Sequence, residues 1–436
     1  MKQLLIYTPQ VTNRIRYAFD LFFREQLGID FLLTTDLEEL YQSKDAKFSY
    51  SEEAVQGILS FGQHPLLIQK GIHPQKISVT EYEQAKIFFQ LKPGFCLPFD
   101  PFSAAFYLVS RYEEYAPPRL DKHGRFMPED SLAWKNGFLH MPVVNHYILM
   151  VKKCLLQHFP SLGFEPRNFK FIPTFDVDSA YCYLNKGLIR NFGGIVKDIV
   201  KGNLPMVKDR IKVLLKYKKD PFDTYDWIQE QHDMWGGNPI YFFLVGDYAE
   251  YDKNISISIP EYQELIKTTA DRASVGIHPS YASNDNPEMV RAEIGRLSKV
   301  LKRDIVKSRQ HFLKLEMPKT YTNLLENDIL QDYTMGYASQ LGFRASICSS
   351  FNFYNIAAEN RTPLKIYPFA VMDATLQYYL KLKPDEAIKA IEQLVLEVKK
   401  VDGAFVSLWH NNSFSEDHEW KGWRSVYIEM LKMINR

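Results

Sequence analysis

The first ~160 positions of the chain mix two hydrophobic periods. A short apolar run at 4–7 predicts a strand, helical spacing over 14–27 predicts a helix, and 29–34 predicts a second strand. Over 101–115, PFSAAFYLVSRYEEY, apolar residues return at helical spacing, and Asp100 before Pro101 supplies a helix entry. The polar stretch 121–129 reads as a loop and 143–159 as another helix. Pro160, Gly163 and Pro166 then break the pattern, which places a boundary between a mixed α/β domain over 1–162 and a second domain over 166–436.

Beyond that boundary, short apolar runs alternate with longer helical segments. The runs lie at 169–175, 240–245, 273–277, 305–308, 343–347, 364–371 and 404–409. Strands alternating with helices predict parallel βαβ units, and a run such as IYFFLV suits a strand buried on both faces. The expectation is an α/β fold: a (β/α)-barrel-like domain of about seven parallel strands, preceded by a smaller mixed α/β domain. Such folds place their active sites at the carboxyl ends of the strands.

Chemistry-bearing residues recur at those ends. Asp176 and Asp178 in TFDVD are two apart and face one side of an extended strand. Two carboxylates so placed suit a metal ligand and a base, or else a helix cap and a surface acid. His278 ends the third run, as a ligand or as a structural histidine. Arg309 and His311 follow the fourth run on one side of the chain, as a functional pair or a surface pair. His410 ends the last run and is a candidate proton donor or a core histidine held by a backbone partner. Asp373 is placed to contact His410 or substrate, or to cap the next helix; Asp332 reads as a helix cap. Trp409, Trp420 and Trp423 fit a sugar-stacking surface or a core equally well.

Composition narrows the field mainly by exclusion. With 436 residues, 46% hydrophobic, and a net charge of +1, the chain is ordinary globular material with no nucleic-acid footprint. The one basic run, 201–219, is interleaved with Leu, Ile and Val and reads as an amphipathic helix with the segment after it, in preference to a nucleic-acid or membrane face. Four scattered cysteines suggest neither a disulfide framework nor a cysteine metal site. Residues 1–19 read as a first strand, not a signal peptide, and no apolar stretch is long enough to span a bilayer, so the cytoplasm is the default compartment.

Taken in order, strand-DxD, strand-His, strand-Arg-x-His and strand-His, the pattern over about 168–436 resembles the polysaccharide deacetylases (NodB-homology, carbohydrate esterase family four). TFDVD resembles that family's TFDD, IYFFLVG its ATFFxxG strand, His278 the first His of its H(S/T)xxH, Arg309 the Arg of RxPxG, and His410 the His of LxxH. The resemblance implies a divalent metal, zinc first, on Asp178 and His278. It also implies Asp176 as general base, His410 as general acid and Arg309 positioning Asp176, with Asp373, Trp409 and Trp423 toward substrate. This chain departs from the family at four points. Ala282 stands where the second metal His belongs, His311 replaces a Pro, Leu313 replaces a Gly, and Val177 separates the two acids. His311 is therefore the expected third ligand.

The implied activity is metal-dependent removal of N-acetyl groups from a carbohydrate. The alternatives are a related amidase or O-esterase and an inactive carbohydrate-binding or scaffold protein. The polar SRYEEY and 121–125 segments are expected to make a binding face or, preferably, an interdomain contact.

Overall fold

A computed structural model describes residues 3–116 and 119–436. Met1 and Lys2, the start of the segment read as a first strand, lie outside the described residues.

The N-terminal part forms a parallel sheet of four strands, β1 (Gln3–Tyr7), β2 (Asp30–Thr34), β3 (Ala46–Ser51) and β4 (Ser60–Gly62), in the order β2-β1-β3-β4. Phe19, Phe23, Phe48, Phe61 and Phe102 pack against one another, mostly edge-on or tilted. A small hairpin follows, β5 (Thr80–Tyr82) with β6 (Ala85–Ile87). The helix expected over 101–115 ends at Val109. Asp100 caps it by accepting from the Phe102 and Ser103 amides, and Arg111 then adopts a left-handed φ of 54° that turns the chain out of the helix. Cys96 and Cys154, scattered in sequence, form a disulfide across 58 residues, which corrects the expectation of none. No local spacing announces a pair brought together by tertiary structure, and disulfides are rare in reducing compartments.

The rest of the chain builds one nine-stranded sheet. Its members are β7 (Lys170–Val177), β8 (Ile240–Phe243), β9 (Ser274–Ile277), β10 (Lys307–Ser308), β11 (Gln331–Asp332), β12 (Phe351–Asn355), β13 (Asn360–Ile366), β14 (Val371–Met372) and β15 (Ala404–His410). They run in the order β12-β13-β11-β10-β9-β8-β7-β15-β14, all parallel except β12. The sheet is open. The expected seven-strand barrel-like ring does not close, because β12 folds back on β13 as an antiparallel hairpin and takes the edge that closure would need. The apolar run at 343–347 is not a strand. It is buried as a loop, with Ser346 at φ 52° and the Arg344 side chain drawn into an ion-pair network.

Alternation along the strands separates two cores. Ile240 and Phe242 of β8, with Val406 and Leu408 of β15, face a small cluster that includes Leu313, Tyr333 and Phe369. Their odd-numbered neighbours Tyr241, Phe243, Phe405 and Trp409 face the large cluster, which continues into the N-terminal sheet. Asp176, Phe242 and His410 lie in register across β7, β8 and β15, so the two chemical residues crown the small cluster at the carboxyl ends of the strands.

Candidate metal centre and catalytic cleft

β7 ends with Asp176 inside the ladder and Asp178 just beyond it. Their spacing turns both carboxylates to one side, and both approach the same nitrogen. His278 Nε2 lies 3.7 Å from Asp176 Oδ2 and 3.1 Å from Asp178 Oδ1. His311 Nε2 lies 3.5 Å from Asp178 Oδ2. One donor atom from each of Asp178, His278 and His311 falls within 4.8 Å of the others. His311 reaches this point from the turn after β10, whereas Ala282 sits exposed on a 3-10 turn.

The surroundings fix which nitrogen each ring presents. His278 Nδ1 donates to the Arg309 carbonyl at 2.6 Å, and a carbonyl can only accept. His311 Nδ1 donates to Asp252 Oδ1 at 2.8 Å. Both rings therefore hold a proton on Nδ1 and offer Nε2 to the cluster, the tautomer a metal requires. Asp178 Oδ1 is shielded from solvent and has no well-aligned hydrogen-bond donor despite its short approach to His278. A carboxylate whose two oxygens face two imidazole nitrogens, one of them without a well-aligned donor, fits a divalent cation. Without the ion His311 takes up charge instead. Burial opposes a charge on His311, but Asp178 and Asp252 outweigh it and raise the imidazole to about 9. Burial likewise opposes the Asp178 anion, yet His311, His278 and His410 hold its carboxyl well below the usual range.

Two dyads flank the cluster. Arg309, fully buried, donates from Nη1 to Asp176 Oδ1 at 3.0 Å and from Nε to the Tyr333 carbonyl at 3.0 Å, with its guanidinium over Phe242. Asp373, also fully buried, accepts from His410 Nδ1 at 2.8 Å and from the His410 amide at 2.7 Å. It holds His410, one of the contacts expected of it. Burial works against charge on His410, but Asp373, Asp178 and Asp176 raise it to about 10. His410 Nε2 stands 3.8 Å from Asp178 Oδ2.

Trp409 and Trp423 are buried in the aromatic core with Phe414 and Tyr427, not in the cleft. For Trp409 the reason is the strand itself: a residue beside His410 on β15 must point to the opposite face. Asp332 does not cap a helix; it ends β11 and accepts from Ser308 Oγ and the Thr334 amide, both at 2.8 Å.

The cluster lines a cavity of 230 Å³ whose outer wall is Arg125, Phe312, Met372, Tyr378 and Tyr379. A second cavity of 590 Å³ continues from it, sharing Arg125, Phe312 and Tyr379 and adding His123, Phe126 and Tyr337. Residues 121–125 thus serve both as contact and as wall: Arg125 Nη1 donates to the Phe312 carbonyl at 2.9 Å and Nη2 to Tyr379 Oη at 3.2 Å. Sequence reasoning missed Asp252 and Tyr379. No local pattern marks Asp252, which acts on His311 from 59 residues away.

Residues 4–160 match a family of unknown function, DUF7033. No curated protein matches the chain. Among solved structures it is similar to a protein assigned as a polysaccharide deacetylase from Mycobacterium smegmatis, at 13% identity and TM-score 0.40 over 62% of this chain and 86% of that one. It is also similar to a mutant CE4-family pseudoenzyme with restored enzymatic activity, at 10% identity and TM-score 0.31 over 62% and 64%. A third is the polysaccharide deacetylase Bc1974 from Bacillus cereus, at 12% identity and TM-score 0.30 over 61% and 86%. Likenesses of this size add no weight to the strand order and side-chain geometry described above.

Proposed function

We propose that the chain is a metal-dependent hydrolase that removes N-acetyl groups from a carbohydrate. The observation that carries this reading is the convergence of Asp178, His278 and His311 within 4.8 Å, between one buried Asp–Arg dyad and one His–Asp dyad. Asp178, His278 and His311 would hold the ion, with zinc the best match to two imidazoles and one carboxylate. When bound, the ion supplies Lewis acidity to a water and to the carbonyl under attack. Asp176, held by Arg309, accepts the proton as the water oxygen bonds to the carbonyl carbon. His410, held by Asp373, gives its proton to the nitrogen as the C–N bond breaks. Acetate and a free amine result. Asp373, accepting from Nδ1, keeps the ring turned so that Nε2 faces the cluster.

Metal content of the purified chain and acetate release from N-acetylated sugar oligomers test the reading, with Asp176→Asn as control. Stoichiometric metal with acetate release supports it; a chain that binds no zinc at micromolar concentration overturns it. Ala282 in place of the family's second histidine favours one alternative, a carbohydrate-binding protein without turnover. That alternative predicts sugar binding unchanged in Asp176→Asn and no acetate release from the wild type. We also assign 1–162 and 166–436 as two domains, supported by separate sheets on either side of the Pro160–Pro166 break.

A further inference from the structure

The segment between β7 and β8 inverts the usual arrangement of a surface helix. Helix Gly187–Val200 and helix Leu204–Leu214 pack side by side through polar groups. Arg210 donates to Asp198 Oδ2 at 2.8 Å and to Asn191 Oδ1 at 3.3 Å, and these three side chains are buried. The apolar residues face out. Leu188 and Ile189 are each 90% exposed, Phe192 70% and Val200 81%, with Val196 and Ile199 completing one stripe at helical spacing. Leu204, Ile211, Leu215 and Tyr217 extend the exposed apolar surface along the second helix and past its end. A globular helix normally buries such a stripe, and the sequence of 201–219 reads as an amphipathic helix in preference to a membrane face.

Charge identifies what covers it. Residues 186–219 hold ten of the chain's 53 Lys and Arg but only two acids. Lys197, Lys201, Lys208, Lys212 and Lys216 are exposed and form no ion pair among the described residues. A second copy seated symmetrically on this face would bring those lysines against their own counterparts. An anionic bilayer surface answers both features, taking the apolar side chains at the headgroup boundary while the lysines reach phosphate. Neither helix crosses the bilayer: no helix among the described residues is long and apolar enough.

The hairpin leaves from the end of β7 that carries Asp176 and Asp178. Arg190 ties it to the carbonyls of Lys253 and Asn254 at 2.8 and 2.9 Å, next to the Asp252 that holds His311. The docking surface is thereby fixed to the strand-end side of the sheet.

We propose that helices Gly187–Val200 and Leu204–Leu214 dock this protein peripherally on an anionic lipid membrane. Flotation of the full chain with phosphatidylcholine vesicles, with and without phosphatidylglycerol, tests this independently of any enzymatic activity. Binding to the anionic vesicles alone, weakened by salt, is expected. Ile189→Asp with Phe192→Asp removes the apolar insertion at exposed positions, leaves the circular dichroism unchanged, and weakens binding by about tenfold or more. Lys201→Gln and Lys208→Gln each weaken it roughly fivefold. Absence of binding to anionic vesicles at low salt overturns the proposal, as does binding that the Ile189 and Phe192 changes leave intact. A wild-type dimer that those changes convert to monomer would assign the face to a second copy and overturn it as well.

Discussion

The clearest energetic test lies in SRYEEY, at Glu114→Gln. Glu114 is buried and accepts three charge-assisted hydrogen bonds: from Arg111 Nε at 2.7 Å, Arg344 Nε at 2.9 Å and Arg344 Nη2 at 2.6 Å. Both guanidinia are buried, and Arg111 also donates to Glu113 at 2.8 Å and to the Arg344 carbonyl. Glutamine keeps the shape but removes the charge, and its amide group turns a donor toward the donating Arg344. Breaking a buried pair by neutralising one partner costs about 3–5 kcal/mol. With a urea slope of roughly 3 kcal/mol/M or more, the unfolding midpoint falls by about 1 M at pH 7. The pH dependence has a definite sign. Burial would raise the Glu114 pKa, but Arg344 and Arg111 outweigh it and hold the carboxyl below its ordinary 4.5. The unfolded chain therefore takes up this proton first as pH falls. The stabilisation is complete above the unfolded value and is lost as pH drops below 4.5 through the folded value. The wild-type advantage over Glu114→Gln, read from urea curves between pH 7 and pH 3, should shrink along that path. A variant within about 0.5 kcal/mol of wild type at pH 7, or a difference that does not change with acid, would refute the reasoning.

Other outcomes follow from the cleft. His311→Ala should abolish stoichiometric zinc, measured by equilibrium dialysis and elemental analysis, whereas Ala282→His should not improve affinity, because that position is exposed. Asp373→Ala frees the His410 ring and should lower kcat by about 10²–10⁴-fold with a smaller change in KM, read from initial rates of acetate release. Tyr379→Ala removes an outer wall of the cavity and a partner of Arg125; KM should rise several-fold on longer sugar oligomers while zinc content stays unchanged.

The strands that carry the site were legible because their sequence says two things at once. The apolar stretches of β7, β9 and β15 each lead at the carboxyl end into a residue of the cluster or one beside it, and β10 turns straight into Arg309 and His311. What was missed lacks a period. β11 pairs only two residues, too few for alternation to register, β12 carries Asn among its apolar positions, and the single run at 364–371 merges the end of β13 with the start of β14. The opposite error, at 343–347, shows that an apolar run records burial and not backbone geometry. Asp373 was visible as a strand-end acid, but whether it met His410 or substrate depended on the β14–β15 pairing, which no local pattern contains. Trp409 is the exception: its distance from the cleft follows from its place next to His410 once β15 is accepted as a strand.

The N-terminal residues also belong to the chemistry of the cleft. Arg344 pairs with Glu114 and lines the larger cavity, and Arg125 holds the Phe312 carbonyl one residue from His311. Phe312 and Leu313 both have left-handed φ, 60° and 54°, a conformation that costs non-glycine residues energy unless their surroundings fix it. His311 replaces a proline and Leu313 a glycine in the pattern this segment resembles, so the third donor arrives on a strained turn. Arg125 is among the groups that hold that turn, and it comes from residues 119–130. The segment that presents His311 thus depends on a loop more than 180 residues earlier. Residues 121–125 accordingly form part of the cleft wall itself.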